Sequence, residues 1–551
     1  MKKTITKSIA IALFAFIGWS NANAQWSSNP AMNNAICQAT NDQKSPQLVS
    51  DGSGGAIITW QDKRGGINYD IYVQRINASG IVQWTVDGVA ICTAADDQSE
   101  PSLVSDGSGG VIVTWNDRRP GTYFDIYAQR INGSGIVQWT ANGVAICTAV
   151  NTQYSPHLVS DGSGGAIISW QDSRLGSSGK DDIYAQRING SGIVQWTADG
   201  VAICTAAKSQ TTPQLISDGS GGAIITWDDD RGATLDIYAQ RINGSGIVQW
   251  IANGAAICTA TDVQTSAQLI SDGNGGAIIT FTWKNYPNTI ADIYVQRINA
   301  SGIVQWTANG VAICTAVGMQ QFPQLISDGN GGAIITWEDP QIHTQRINAS
   351  GIVQWTTNGV AINTAVNTQP SPQLVSDGSG GAIITWGDMR SGFFDIYVQR
   401  INASGIVQWT GNGVTICTAA NSQNQPKIIS DSCTSIITWR DLRGGTTLDI
   451  YASKIYCNGS LSNLAGVSAI HKDQSIVVYP NPSSGKFQVS IAQSATEVIQ
   501  LKVTDILGKE VHSEKIPSGG DNYLLDLSYL QNGIYLLRGN DSSVQKIIIQ
   551  K

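Results

Sequence analysis

Acidic and basic side chains recur in this chain two residues apart. A catalytic site needs different residues in different roles at one place, whereas repeated copies supply the same pair everywhere. We therefore expect each Asp to fix a turn or to pair with an Arg between neighbouring repeats, assign no catalytic residue, and favour a protein that is not an enzyme. The pairs, from copies of W-x-D-x-R, are Asp62/Arg64, Asp117/Arg119, Asp172/Arg174, Asp229/Arg231, Asp388/Arg390 and Asp441/Arg443.

Other candidates for catalysis or metal binding are few. The four histidines, His157, His343, His471 and His512, lie in dissimilar contexts. The recurring D-G-x-G-G loop offers one carboxylate, whereas Ca²⁺ takes roughly six to eight oxygen ligands, so we predict no metal and no cofactor. A formal net charge of -8 with 13% charged residues disfavours nucleic acid, which binds basic surfaces.

The nine cysteines fall into two groups. Seven occupy the same place in successive repeats, and we interpret them as small buried apolar residues. Cys433 precedes the second strand of the last repeat and Cys457 follows its third strand. Antiparallel neighbours bring those two ends together, so we predict a Cys433–Cys457 disulfide. The repeated ones are Cys37, Cys92, Cys147, Cys204, Cys258, Cys314 and Cys417.

The repeat itself is the block S-D-G-x-G-G-x-I-I-T-W, which returns at intervals of about 55 residues. Each unit predicts four short strands. In the first unit these are 47–50, 56–60, 70–76 and a fourth strand in the I-V-Q-W segment at 81–84. Four strands per unit are typical of a propeller blade. Eight copies of the block Asp occur, at Asp51, Asp106, Asp161, Asp218, Asp272, Asp328, Asp377 and Asp431.

The two ends of the repeat region complement each other. The last unit lacks the I-V-Q-W-T piece, and the segment from Gln25 and Trp26 to Cys37 supplies it. Closing the ring removes two exposed sheet edges. We predict an all-β, eight-bladed β-propeller over residues 25–462, closed by the N-terminal strand. P-x-L-x-S-D-G, W-x-D-x-R-x-G and D-I-Y-x-x-R-I resemble the WD-type repeats of TolB-like periplasmic propellers, from which the added Gly-Gly and the Q-W segment depart.

The N-terminus has the features of a secretory signal peptide, residues 1–24. Lys2, Lys3 and Lys7 precede the apolar run 9–19, and Ala22-Asn23-Ala24 is a small-x-small cleavage site. We predict a mature chain that begins at Gln25 and has no transmembrane segment.

Comparison among the copies locates a candidate binding face. Two turns barely change, whereas the loops between the second and third strands, and those leading to the next unit, vary. Variable loops on a rigid frame often carry function, so their aromatics are our candidate ligand-binding residues, with loop anchoring as the alternative. A recurring Gln, from Gln43 to Gln423, is expected to bond backbone groups between blades, or else to ring the central channel. The aromatic candidates are Tyr69, Tyr123, Phe124, Tyr154, Tyr286, Phe322, Phe393 and Phe394.

A polar linker, 463–474, leads to a second domain, 475–551, which predicts a small Ig-like β-sandwich. Its motifs V-V-Y-P-N-P-S-S-G-K-F, L-K-V-T-D-I-L-G-K-E-V, N-G-I-Y-L-L-R and K-I-I-I-Q-K resemble the C-terminal sorting domain of the type IX secretion system of Bacteroidetes. The resemblance implies the secretion machinery as a partner and a location that is secreted or attached to the outer-membrane surface. The motif residues are Tyr479, Pro480, Asn481, Pro482, Gly485, Gly508, Gly533, Tyr535 and Lys546.

Three functions are consistent with these features. The first is an exported propeller that binds a carbohydrate, a peptide or a surface partner. The second is a hydrolase or lyase of extracellular polysaccharide with its site on the propeller axis. The third is a structural surface or matrix protein. Divergent acidic residues near the axis would favour the second function.

Overall fold

The structure is a computed structural model that describes residues 25–119, 121–175, 180–285, 290–365, 371–462, 476–491, 499–506, 508–516, 523–538 and 544–551. The predicted signal peptide and linker lie outside these residues. Every named regular element of the described residues is a β-strand. The chain divides into two compact units, Met1–Ser462 and Asn463–Lys551.

The first unit is an eight-bladed β-propeller built from eight four-stranded antiparallel sheets. Blade 1 is β2 (Gln43–Ser50), β3 (Ala56–Asp62), β4 (Asp70–Ile76) and β5 (Val89–Cys92), and blade 2 is β6 (Gln98–Ser105), β7 (Val111–Asp117), β8 (Asp125–Ile131) and β9 (Val144–Cys147). Blade 3 is β10 (Gln153–Ser160), β11 (Ala166–Asp172), β12 (Asp182–Ile188) and β13 (Val201–Cys204), and blade 4 is β14 (Gln210–Ser217), β15 (Ala223–Asp229), β16 (Asp236–Ile242) and β17 (Ala255–Cys258). Blade 5 is β18 (Val263–Ser271), β19 (Ala277–Asn285), β20 (Ile290–Ile298) and β21 (Val311–Cys314), and blade 6 is β22 (Gln321–Ser327), β23 (Ala333–Asp339), β24 (Gln341–Ile347) and β25 (Val360–Ala361). Blade 7 is β26 (Gln373–Ser376), β27 (Ala382–Asp388), β28 (Asp395–Ile401) and β29 (Val414–Cys417), and blade 8 is β30 (Gln423–Asp431), β31 (Thr434–Asp441), β32 (Asp449–Ile455) and β1 (Asn34–Cys37).

The N-terminal strand closes the ring, as predicted. β1 pairs antiparallel with β32 in the register Asn34↔Ala452, which gives blade 8 its fourth strand. Each inner strand contacts the next around the ring, from β2 to β30 and back to β2. Trp26 precedes β1, is buried, and donates its indole N–H to the carbonyl of Ala78 in blade 1 at 2.9 Å.

The outer strand of each blade was predicted at the wrong position and lies further along the chain. The strand is the V-A-I-C segment, such as β5, and not I-V-Q-W, which runs as a loop with a single bridge from Val82 to Ile76. Glycines with positive φ at both ends of that loop turn the chain out of the sheet. At one of them, Gly88, a Cβ would lie 2.6 Å from the Trp60 ring, so only glycine fits there.

The core of the propeller lies between blades. Second strands such as β3 are almost completely buried, because each sheet packs on a neighbour on both faces. One cluster joins Ile57 and Ile71 of blade 1 to Val111 and Trp115 of blade 2. Burial on both faces explains why the second strands are apolar runs rather than alternating segments.

The C-terminal unit is a small β-sandwich of two antiparallel sheets. Its core contains Phe487, Leu501, Leu525 and Leu537, which come from both sheets. One sheet contains β33 (Ile476–Tyr479), β34 (Lys486–Ile491) and β37 (Tyr523–Asp526), and the other contains β36 (Glu510–Ile516), β35 (Ile499–Asp505), β38 (Gly533–Arg538) and β39 (Val544–Ile549).

Ring closure can be tested by introducing aspartate at a buried position of β1 and at an exposed control position. Ile36→Asp puts a carboxylate into the buried part of β1 and should lower the free energy of unfolding by about 3–5 kcal/mol, because the charge has no partner there. Ile136→Asp alters a residue that is 59% exposed and should have little effect. Urea denaturation of both variants measures the difference. Equal stability of the two variants would show that β1 does not complete blade 8 in solution.

Candidate binding site in the axial channel

The W-x-D-x-R pairs hold the blades together. In blade 1 the buried Asp62 accepts a hydrogen bond from the Trp60 indole N–H at 2.8 Å and binds Arg64 at 2.6 Å. The Arg64 guanidinium also lies over the Tyr72 ring and 3.2 Å from the Cys37 sulfur of blade 8. The Asp fixes a turn, as expected, but its Arg is in the same blade. The contacts of the Cys37 sulfur with Arg64 and Asp62 are the ones in this group that cross between blades.

All seven repeated thiols are buried, and five of them contact such an Arg. Burial raises the pKa of the Cys37 thiol, which keeps it protonated and unreactive. Cys433 and Cys457 are joined by a disulfide, with Cα atoms 4.8 Å apart. Among the residues that the structure describes, no group of three or more His, Cys, Asp or Glu could hold a metal ion.

The recurring Gln bonds to backbone groups and does not face the channel. Gln43 is fully buried, and its amide donates to the carbonyl of Asn41 at 3.0 Å, within the segment that connects two blades. Its backbone N–H donates to Leu448 of the preceding blade at 2.7 Å. Gln369, the copy in blade 7, lies outside the described residues.

The predicted aromatic residues do not gather at one place. Those described are distributed over five blades, and Tyr286 lies outside the described residues. Three are about half exposed, namely Tyr123 (48%), Phe322 (52%) and Phe393 (53%). The side chains of Tyr69, Phe124, Tyr154 and Phe394 are half-buried.

Two of the half-buried aromatics have partners that hold their loops in place. Tyr69 lies beneath the ammonium groups of Lys44 and Lys63. Tyr154 donates its hydroxyl to Asp181 at 2.9 Å. For these two, the contacts agree with the loop-anchoring alternative.

A ring of side chains that the sequence comparison overlooked lines the propeller axis. Its members are the middle residues of the P-x-L segment of each inner strand, which reads A-Q-L in blade 5 and P-K-I in blade 8. Two pairs of neighbours in the ring are in contact. The amide of Gln214 lies 3.2 Å from His157 Nε2, and Lys427 donates to the amide oxygen of Gln373 at 3.4 Å. We call it the axial ring: Gln47, Ser102, His157, Gln214, Gln268, Gln324, Gln373 and Lys427.

A β-bulge precedes the axial ring in seven of the eight described inner strands. The register of the inner strand shifts there, for example between Lys44 and Gln47, and the extra residue takes a positive φ although it is not glycine. Such a conformation costs roughly 1–3 kcal/mol, and strained residues of this kind cluster at binding sites. These residues form the upper ring, nearer the variable loops: Ser45, Glu100, Ser155, Thr212, Ser266, Phe322, Ser371 and Gln425.

A cavity of about 300 Å³ opens beside the residues of the axial ring that depart from its repeat. Five of the eight axial-ring residues are Gln, and the other three, Ser102, His157 and Lys427, all line this cavity. Glu100, the acidic residue of the upper ring, lines it as well. The remaining lining residues are Ser45, Gln47, Pro101, Ser155 and Pro156.

The cavity has an unusual charge balance. Burial and the nearby Lys427 charge lower the pKa of His157 to about 4, so the ring is neutral at neutral pH and can accept from the Gln214 amide. Burial also lowers the pKa of Lys427. Glu100 is exposed and accepts from the Asn116 amide at 3.0 Å. Comparison of the P-x-L position among the eight copies, which needs no structure, is the signal that would have identified this site.

In the C-terminal unit, Asn481 joins the first and last strands. Its amide donates to the Lys546 carbonyl at 2.6 Å, and its oxygen accepts from Ile548 N–H at 2.8 Å. Gly485 has a φ of +111°, and a Cβ there would lie 2.6 Å from the Cα of Ser528.

The other motif residues take turn, strand-start and packing positions. Gly508 lies in the turn after Asp505, and Gly533 begins β38. Tyr535 is buried and donates to the Gln531 carbonyl at 3.0 Å. The peptide bonds before Pro480 and Pro482, which follow Tyr479 and Asn481, are cis.

Residues 477–550 match the family described as "Secretion system C-terminal sorting domain". The C-terminal unit is a type IX secretion sorting domain. The protein is therefore exported by that machinery and is secreted or attached to the outer-membrane surface. Within the described residues, no helix is long and apolar enough to span a bilayer.

Comparison with curated proteins finds no match. Among solved structures, the chain is similar to a polysaccharide lyase (11% identity, 70% of this chain and 91% of that one, TM-score 0.41). It is also similar to an ulvan lyase (11%, 80% and 96%, TM-score 0.42) and to an endo-arabinase from Bacteroides thetaiotaomicron (13%, 55% and 93%, TM-score 0.30).

The lowered pKa of His157 predicts a pH dependence of stability. The unfolded chain binds the proton more readily between pH 6.5 and about 4, so the folded wild type loses stability as the pH falls through that window. His157→Gln, which carries the residue of most other blades, should gain stability relative to wild type over the same window. Thermal midpoints of both proteins across this pH range measure the effect. Parallel curves would show that His157 titrates normally in the channel.

The two hydrogen bonds of the Asn481 side chain predict that this residue is required for export. Asn481→Ala removes two hydrogen bonds that join β39 to the start of the domain. The change should lower the free energy of unfolding of this domain by about 1–3 kcal/mol and should leave the protein in the periplasm. Lys502→Ala removes only an exposed ion pair with Glu510 and should be exported normally. Immunoblots of periplasm, outer membrane and medium distinguish the two. Normal export of Asn481→Ala would contradict this role.

Proposed function

We propose that this exported propeller binds a glycan in the cavity of its axial channel, entered from the face of the variable loops. The observation that carries the proposal is the coincidence of the cavity with the residues that break the repeat. At the axial-ring position the other five blades have Gln, and a repeated fold needs no departure from Gln there for stability. In the axial ring all three departures line one cavity, and ligand pockets have a small number of precisely placed polar groups.

The lining of the cavity suits a sugar. Gln47 offers an amide with both a donor and an acceptor, and Ser102 and Ser155 offer hydroxyls that can do either. Pro101 and Pro156 provide rigid apolar surface between these polar groups. Elsewhere in the upper ring the exposed Phe322 presents an aromatic ring of the kind that stacks on a pyranose.

The strand directions favour entry from the variable face. The inner strand β2 starts beside the variable loops, where Gln43 pairs with Asp62, and ends at the constant turn, where Ser50 pairs with Ala56. The upper ring is therefore nearer the variable loops than the axial ring. Ligands reaching the cavity from that side meet Ser45, Glu100 and Ser155 first.

An enzyme that cleaves polysaccharide is the second candidate, and one observation favours it. Glu100, His157 and Lys427 are titratable residues that do not repeat, and all three line the cavity. A neutral imidazole can accept a proton, and an ammonium can stabilise a developing negative charge. Incubation of any bound glycan with the protein, followed by assays for new reducing ends and for unsaturated uronates, tests this candidate.

The binding proposal predicts the effect of filling the cavity mouth. Ser155→Phe should weaken glycan binding at least about tenfold, because the phenyl group occupies the space of the ligand. Phe322 shows that a blade tolerates phenylalanine in this backbone conformation. Ser371→Phe is the matched control, since Ser371 has the same place in blade 7 and does not line the cavity. A glycan array probed with the chain from Gln25 to Lys551 measures all three proteins.

A second control tests the surface loops. The double variant Tyr123→Ala/Phe393→Ala removes two exposed aromatics away from the axis and should bind as wild type does. Loss of binding in this variant alone would move the site to the loops. No binding of wild type to any glycan would overturn the proposal and favour a protein partner or a structural role.

A further inference from the structure

We propose that Lys427 makes the axial site selective for acidic glycans, whose carboxylate or sulfate groups it binds. This inference rests on the proposed glycan-binding function and specifies its ligand class. The Lys427 ammonium group lines the cavity from blade 8, at a position where five blades have Gln.

Lys427 has no acidic partner among the residues that the structure describes. Its one hydrogen bond goes to the amide oxygen of Gln373. The repeated arginines of the propeller are different, since Arg75, for example, lies 2.9 Å from Asp51. A half-buried cation without a counter-charge is unfavourable compared with a neutral amide. An anionic group in the cavity would supply the missing charge.

The other charged groups around the cavity are compatible with this arrangement. His157 is neutral at neutral pH and does not compete for the anion. Glu100 is exposed and bound to Asn116, and it comes from blade 2 rather than from blade 8. A second cation, Arg440, is half-buried on the second strand of blade 8, where the matching residues of blades 4 and 6 are Asp228 and Glu338. Arg440 does not line the cavity, so Lys427 is the cation of its lining.

Selectivity needs a local cation in this protein. The chain has a formal net charge of -8, so its long-range field disfavours polyanions. A neutral glycan would need no such residue, because amides and hydroxyls satisfy its hydroxyl groups. A peptide carboxylate would also meet Lys427, but the polar ring of glutamine amides fits a polyhydroxylated ligand better than a peptide side chain.

The test compares ligands that differ only in charge. Uronate oligosaccharides and their methyl esters, and sulfated oligosaccharides and their desulfated forms, are assayed against wild type, Lys427→Gln and Lys208→Gln. Lys427→Gln restores the residue of five other blades and should therefore fold normally, which its thermal midpoint checks. Lys208→Gln removes the same charge from a side chain that is 51% exposed and controls for net charge.

Wild type should bind the acidic oligosaccharide of at least one pair more tightly than its neutral counterpart, by about tenfold or more. Lys427→Gln should lose that preference and keep the affinity for the neutral form, while Lys208→Gln should behave as wild type. Equal binding of acidic and neutral forms by wild type, or an unchanged preference in Lys427→Gln, would overturn this inference and leave the glycan site standing. Binding of no glycan, acidic or neutral, would overturn the proposed function itself. Lys427-dependent binding of a peptide acid but not of its amide would assign the site to peptides instead.

Discussion

Pairing between the two ends of the repeat region holds the propeller together. Each blade buries its apolar strands only against its neighbours, so blades 1 and 8 are buried on both faces only if they meet. The cluster at that junction contains Ile36 of β1, Trp60 of blade 1 and Ile450 of blade 8. Without β1, the strand β32 would expose its edge, and part of this cluster would face water.

Contacts among Trp, Asp, Arg and Cys side chains also join neighbouring blades elsewhere in the ring. In six blades a buried Asp binds a Trp and an Arg of its own blade. In five of them the Arg also reaches the Cys of the blade before it, and in blade 7 Asn363 holds the Cys place. Blades 5 and 6 lack the Arg, and Trp283 occupies the Asp place in blade 5. Because these contacts lie between the sheets, the residues that face the axis are free to differ from one blade to the next.

Most of the fold was predictable from the sequence, and most of the site was not. The spacing of Asp51 and its copies predicted eight blades, and the missing piece of the last blade predicted closure from the N-terminus. The outer strand was misplaced because I-V-Q-W has strand-forming residues, whereas the glycines around it turn its Trp towards the next blade. The site was missed because Ser102, His157 and Lys427 are single replacements of Gln at one strand position, whereas the exposed aromatics lie in loops that vary throughout.

The pairing of β1 with β32 also sets an order of events in folding. Gln38 and Tyr451, whose side chains bond across this junction, are 413 residues apart in the chain. Contacts of such separation carry the largest entropic cost and form late. Blades 1 to 7 are each local in sequence and can assemble in turn, but blade 8 must wait for a segment made long before it. The strand β1 therefore lacks its partner β32 until nearly the whole propeller has been synthesised.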